Sequence, residues 1–157
     1  DYGGYYYGIL YDIVYFVNIE KFDITGTISG DYIATGNSDD VVNGNGGDDI
    51  IITSGGNDKV NGGQGDDNIS CGEGNDILSG EEGNDTIDGG SGNDVIQGGI
   101  GNDVITQGSG INTVDGGDGL DTLVDADLGS LASNLNFSDS GTTYSTINLP
   151  NLSLIHI

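Results

Sequence analysis

An all-β chain wound as a parallel solenoid, with two nine-residue units to each coil, is what this 157-residue sequence predicts. A nine-residue period runs without a break from Gly26 to Val124, and one of its positions is always aliphatic while another is almost always aspartate. Nine residues match neither a helix nor a heptad, but they hold a strand of about three residues and a turn of about six.

Counted in rows of nine from Gly26, the eighth position reads Ile33, Val42, Ile51, Val60, Ile69, Leu78, Ile87, Ile96, Ile105, Val114, Leu123. Side chains alternate across a strand, so positions seven to nine form a strand with the middle residue facing inward. Position four is glycine from Gly47 to Gly119, after Ser29 and Ser38, and positions one and two are mostly glycine, with Cys71, Glu81 and Gln107 among the exceptions. Glycine supplies positive φ and lets backbones approach closely. Position five is mostly Asp or Asn, as in Asp48, Asn57, Asp66 and Asn75. These are the non-glycine residues that best tolerate the left-handed region, which is the role expected of them. Two units close one coil with a strand on each side, and each coil contacts only its neighbours.

Position six then falls on two edges. Asp31, Asp49, Asp67, Asp85, Asp103 and Asp121 line the first; Asp40, Asp58, Asp76, Asp94 and Asn112 line the second. Neighbours on an edge sit about 4.8 Å apart, where like charges repel by roughly 1 kcal/mol in water and by more where solvent is displaced. The whole chain carries a net charge of −24 with only Lys21 and Lys59 basic. Two aliphatic side chains per coil offset little of the conformational entropy of ordering it. The metal-free repeats are therefore expected to be largely unfolded. A hard divalent cation between coils supplies what is missing. Calcium suits the task, because it accepts six to eight oxygens from carboxylates and peptide carbonyls in irregular geometry.

The units GGQGDDNIS, GGSGNDVIQ and GGIGNDVIT resemble the GGxGxDxUx nonapeptide of RTX (haemolysin-type) calcium-binding proteins, closely over residues 35–124 and loosely over 26–34. The resemblance implies a right-handed parallel β-roll in which position-six carboxylates and turn carbonyls hold Ca²⁺ between repeats. It carries the ligand role to Asp40, Asp49, Asp58, Asp67, Asp76, Asp85, Asp94, Asp103 and Asp121. Asp31, in a glycine-poor turn, and the uncharged Asn112 are weaker candidates. Neighbouring aspartates from Asp40 onward make about seven sites, and about nine if Asp31 and Asn112 take part. At a calcium concentration ten times the dissociation constant each site adds ~1.4 kcal/mol, so together they rival the stability of a domain. The chain is expected to be loose at cytosolic calcium and to fold outside the cell. The resemblance further implies a bacterial, extracellular or cell-surface protein exported in one step without an N-terminal signal peptide.

The expected organisation is a β-rich, aromatic N-terminal cap over 1–25, repeats over 26–124 with 26–34 degenerate, and a C-terminal flank over 125–157 holding two or three strands. Ile24 and Tyr15 continue the aliphatic register backward. The absence of methionine suggests a fragment of a longer protein, and the apolar LSLIHI a truncated or non-native end. A surface this acidic repels nucleic acid and anionic membranes, and no apolar run approaches the ~20 residues of a membrane helix. One histidine, His156, and no nucleophile elbow leave no expectation of catalysis in this segment. Cys71 reads as a solvent-near substitution without a redox role, and Lys59 as a solvated surface residue. The favoured function is a calcium-folded module of an exported enzyme or toxin, joined to neighbouring domains. The alternative is a structural or adhesive segment of a large calcium-stiffened surface protein. For the aromatic run of 1–25, a surface for a glycan or protein partner is the alternative to a cap.

Overall fold

The computed structural model describes residues 20–124 and the strands Asn136–Asp139 and Thr146–Asn148. The aromatic run of the N-terminal flank, Tyr15, LSLIHI and His156 lie outside the described residues. Among those described are fourteen strands and no helix.

Odd-numbered strands form one seven-stranded parallel sheet: β1 Asp23–Thr25, β3 Val41–Gly46, β5 Lys59–Gln64, β7 Ile77–Glu82, β9 Val95–Ile100, β11 Thr113–Asp118 and β13 Asn136–Asp139. The even-numbered strands form the second: β2 Tyr32–Ala34, β4 Ile50–Ile52, β6 Asn68–Ser70, β8 Thr86–Asp88, β10 Val104–Thr106, β12 Thr122–Val124 and β14 Thr146–Asn148. The register joins residues one coil apart, Val42 to Val60 to Leu78 on the first sheet and Ile51 to Ile69 to Ile87 on the second. The architecture is the predicted parallel β-roll of two nonapeptides per coil.

Every position-eight residue from Ile33 to Leu123 is buried, in two files that face each other between the sheets. Ile24 packs against this core and pairs with Val42, so the aliphatic register does extend backward by one strand. At the other end Val114 pairs with Phe137 and Leu123 with Ile147. The coil therefore continues into the C-terminal flank with longer connections.

Two local expectations are corrected. From β3 to β11 the strands of the first sheet have six residues, whereas those of the second from β2 to β12 have three. On the first sheet pairing skips position one and resumes, from Asn43↔Asn61 to Asn45↔Gly63. On the second it shrinks to single bridges at position three, such as Gly55↔Glu73. There position one mostly carries a side chain, with Thr53 and Cys71 turned fully into the interior.

The second correction concerns the left-handed residues. They occupy positions two and four, as at Gly63 (φ +117°) and Gly65 (φ +125°), and include the non-glycines Asn45, Ser54 and Glu81. Position five takes no positive φ. Its amides instead form side-chain ladders: Asn57 Oδ1 accepts the Asn75 N–H at 2.9 Å, and Asn75 Oδ1 accepts that of Asn93 at 2.9 Å. The first coil differs again, since Thr27, Ser29, Gly36 and Ser38 take no positive φ at positions two and four.

Candidate metal centres

Each position-six side chain precedes its strand and turns inward between coils, next to the aliphatic core. Asp67 is 2 % exposed, Asp85 1 % and Asp121 0 %, and Asn112 is buried alongside them at 4 %. Asp31, in the irregular first turn, is only half-buried.

One carboxylate oxygen is committed to the fold. Asp67 Oδ1 accepts the Asp49 N–H at 2.8 Å, Asp85 Oδ1 accepts that of Asp67 at 2.8 Å, and Asp103 Oδ1 that of Asp85 at 2.9 Å. The second edge repeats this through Asp58, Asp76 and Asp94, whose Oδ1 atoms accept from Asp40, Asp58 and Asp76. These bonds stitch successive turns together, a role that spacing alone does not reveal.

The other oxygen is not satisfied by the protein. Oδ2 of Asp40, Asp49, Asp58, Asp67, Asp76, Asp85, Asp94 and Asp103 is buried without a hydrogen-bond partner. A buried charged oxygen left this way is costly unless a cation meets it. The position-one glycines show where it points. A Cβ on Gly44 would collide with Asp49 Oδ2 and the Gly62 carbonyl, and one on Gly98 with Asp103 Oδ2 and the Gly116 carbonyl. None of these glycines has positive φ, so space is what requires them. A carboxylate oxygen of one coil and a peptide carbonyl of the next thus converge on a recess that a side chain would fill. An all-oxygen donor set of this kind suits a hard cation such as calcium.

Electrostatics agree. Burial pushes the Asp85 carboxyl up to about 7; the Asp67 N–H offsets part of this, and the Asp103 and Asp67 carboxylates add to it. Asp49, Asp94 and Asp103 are raised to about 6 for the same leading reason, and Asp58, Asp67 and Asp76 are raised as well. A bound cation reverses this by favouring the charged form. Among the described residues no group of three His, Cys, Asp or Glu side chains is arranged to hold a metal ion. The carboxylates act in pairs one coil apart, so carbonyls must complete any coordination.

The two edges are not equivalent. Position one of the first edge is glycine in every unit, whereas the second edge carries Thr35, Thr53, Cys71, Gly89 and Gln107. Cys71 is 0 % exposed, which corrects its reading as solvent-near. Burial, reinforced by Asp76, Asp58 and Asp94, holds its thiol up at about 12, and a protonated thiol there is inert. Lys59 is exposed, as expected.

The family model described as RTX calcium-binding nonapeptide repeat (4 copies) matches residues 25–60, 34–69, 44–78, 71–105 and 106–124. Comparison with curated proteins and with solved structures finds no match.

Proposed function

Because the chain belongs to the RTX calcium-binding nonapeptide repeat family, whose repeats bind Ca²⁺, we propose that both edges of the roll are its calcium sites. The supporting observation is the row of buried Oδ2 atoms without partners; on the first edge, and at Asp94 beside Gly89, they are aimed at the recess beside position one. Asp49, Asp67, Asp85, Asp103 and Asp121 supply the carboxylates of the first edge; Asp40, Asp58, Asp76 and Asp94 supply those of the second. Position-one carbonyls supply further oxygens.

Calcium replaces a row of mutually repelling buried carboxylates with alternating charge. Binding is therefore coupled to stacking of the coils, and the folded fraction follows the free calcium concentration. At extracellular calcium the sites fill, whereas at cytosolic calcium they do not. The segment acts as a calcium-triggered folding module of an exported bacterial enzyme or toxin. It contributes no catalytic group of its own and serves the domains covalently joined to it.

Asp85→Asn tests the assignment, because Asp85 stands between Asp67 and Asp103 and serves two neighbouring sites. Native mass spectrometry at saturating calcium should show two fewer ions than in the wild type. An unchanged count would remove the position-six carboxylates from the coordination.

A further inference from the structure

We infer that each edge of the calcium-dependent array is closed at one end by a protein hydrogen-bond donor that occupies the place a cation takes in the interior. One is the Asn112 amide at the end of the second edge, and the other is Thr27 at the start of the first. The inference rests on the calcium reading above and concerns where that chemistry stops.

Asn112 occupies position six and keeps its structural half. Its Oδ1 accepts the Asp94 N–H at 2.7 Å, as the aspartates do for their neighbours. The other half differs. Its Nδ2 donates to the Gln107 carbonyl at 2.9 Å, the position-one carbonyl of its own turn. The two partners fix the orientation of the amide, since a backbone N–H only donates and a carbonyl only accepts. Where interior aspartates present an unsatisfied oxygen, Asn112 presents a donor already bonded to a carbonyl. Its partial positive charge is weaker than that of an ion but is present at every calcium concentration.

The first edge shows the same solution with the polarity reversed. Asp31 Oδ2 accepts the Thr27 N–H at 2.6 Å and the Thr27 hydroxyl at 3.1 Å. Thr27 is the one position-two residue on this edge without positive φ; Asn45, Gly63, Glu81, Gly99 and Gly117 all have it. In the first turn Thr27 thus supplies its backbone N–H and its side-chain hydroxyl to the oxygen that is left bare in the coils that follow.

A separate feature ends at the same level as Asn112. Asn93 Oδ1 accepts the Ile111 N–H and Asn102 Oδ1 accepts the Leu120 N–H, each at 2.9 Å. Ile111 and Leu120 offer no side-chain acceptor to a further coil. Both position-five ladders therefore stop in the coil that holds Asn112, the coil on which β13 and β14 pair.

The experiment is a count of bound calcium by native mass spectrometry at saturating calcium for the wild type and Asn112→Asp, with circular dichroism of both in chelator. Asn112→Asp should bind one more ion than the wild type and show less residual β signal in chelator, because a bonded amide becomes a bare carboxylate. An equal count would overturn the inference. Should Asn112→Asp fail to fold at saturating calcium, Asp94→Asn decides. It should lose one ion, the one shared with Asp76, and a loss of two would place an ion beside Asn112 and overturn the inference. A wild type that binds no calcium would instead defeat the underlying calcium reading.

Discussion

Glu81 holds φ at +79° where the equivalent residues one coil away on either side are Gly63 and Gly99. A side chain in the left-handed region costs roughly 1–2 kcal/mol, and the exposed hydrogen bonds that Asn61 and Ser79 donate to its carboxylate recover little of it. Glu81→Gly should stabilise the calcium-loaded protein by about 1 kcal/mol, read from the urea midpoint; a lower midpoint would contradict this. Gly80 is a different case. Its φ is ordinary, but a Cβ there would strike Asp85 Oδ2 and the Gly98 carbonyl. Gly80→Ala should raise the calcium concentration needed for half-folding several-fold, and an unchanged midpoint would show that the recess is not used. The sequence marked both residues as members of glycine-rich positions. It did not show that one position is set by torsion and the other by space, because both constraints write the same letter.

At the scale of the strand and turn, the period made the eighteen-residue coil, the inward aliphatic files and the aspartate edges legible in advance. A nine-residue repeat with one fixed apolar position admits few other windings. The inequality of the two sheets was hidden: after position nine the pairing of the second sheet shrinks to single bridges at position three, and Thr53 and Cys71 just before them turn into the interior. The role of position five was not legible: Asn75 fits a left-handed turn by composition, yet it serves as a rung whose Oδ1 accepts the Asn93 N–H and Nδ2–H. Asn75→Ala should cost ~1 kcal/mol in the loaded state without changing the number of calcium ions bound; a lost ion would contradict the separation of the two ladders.

The buried aspartates also set a pH dependence for the two edges. Their folded-state values, up to about 6 for Asp49 and Asp103 and about 7 for Asp85, lie above the ordinary 3.8. A carboxyl raised on folding favours the folded state below its ordinary value, and that contribution is lost as pH rises through the folded one. In calcium-free buffer, β signal should therefore grow as pH falls from 8 toward 4. In calcium the sign is opposite, because protons compete with the ion, and the calcium midpoint should rise as pH falls below about 6. A calcium-free spectrum that does not change between pH 8 and pH 4 would contradict the assignment of burial as the cause.

Over the whole molecule, two files of aliphatic side chains form a narrow core between sheets that carry very little positive charge. Each coil is held by its neighbours alone, so stability accumulates along the stack and fails along it too. Calcium between coils acts where such a stack is weakest. The central claim is that the ion is part of the fold, and a circular dichroism titration after chelation tests it most directly, with Ca²⁺ as ligand and Mg²⁺ as control. A steep, calcium-selective gain of β signal near millimolar concentrations is the predicted result; a spectrum already fully β in chelator and indifferent to calcium would contradict it.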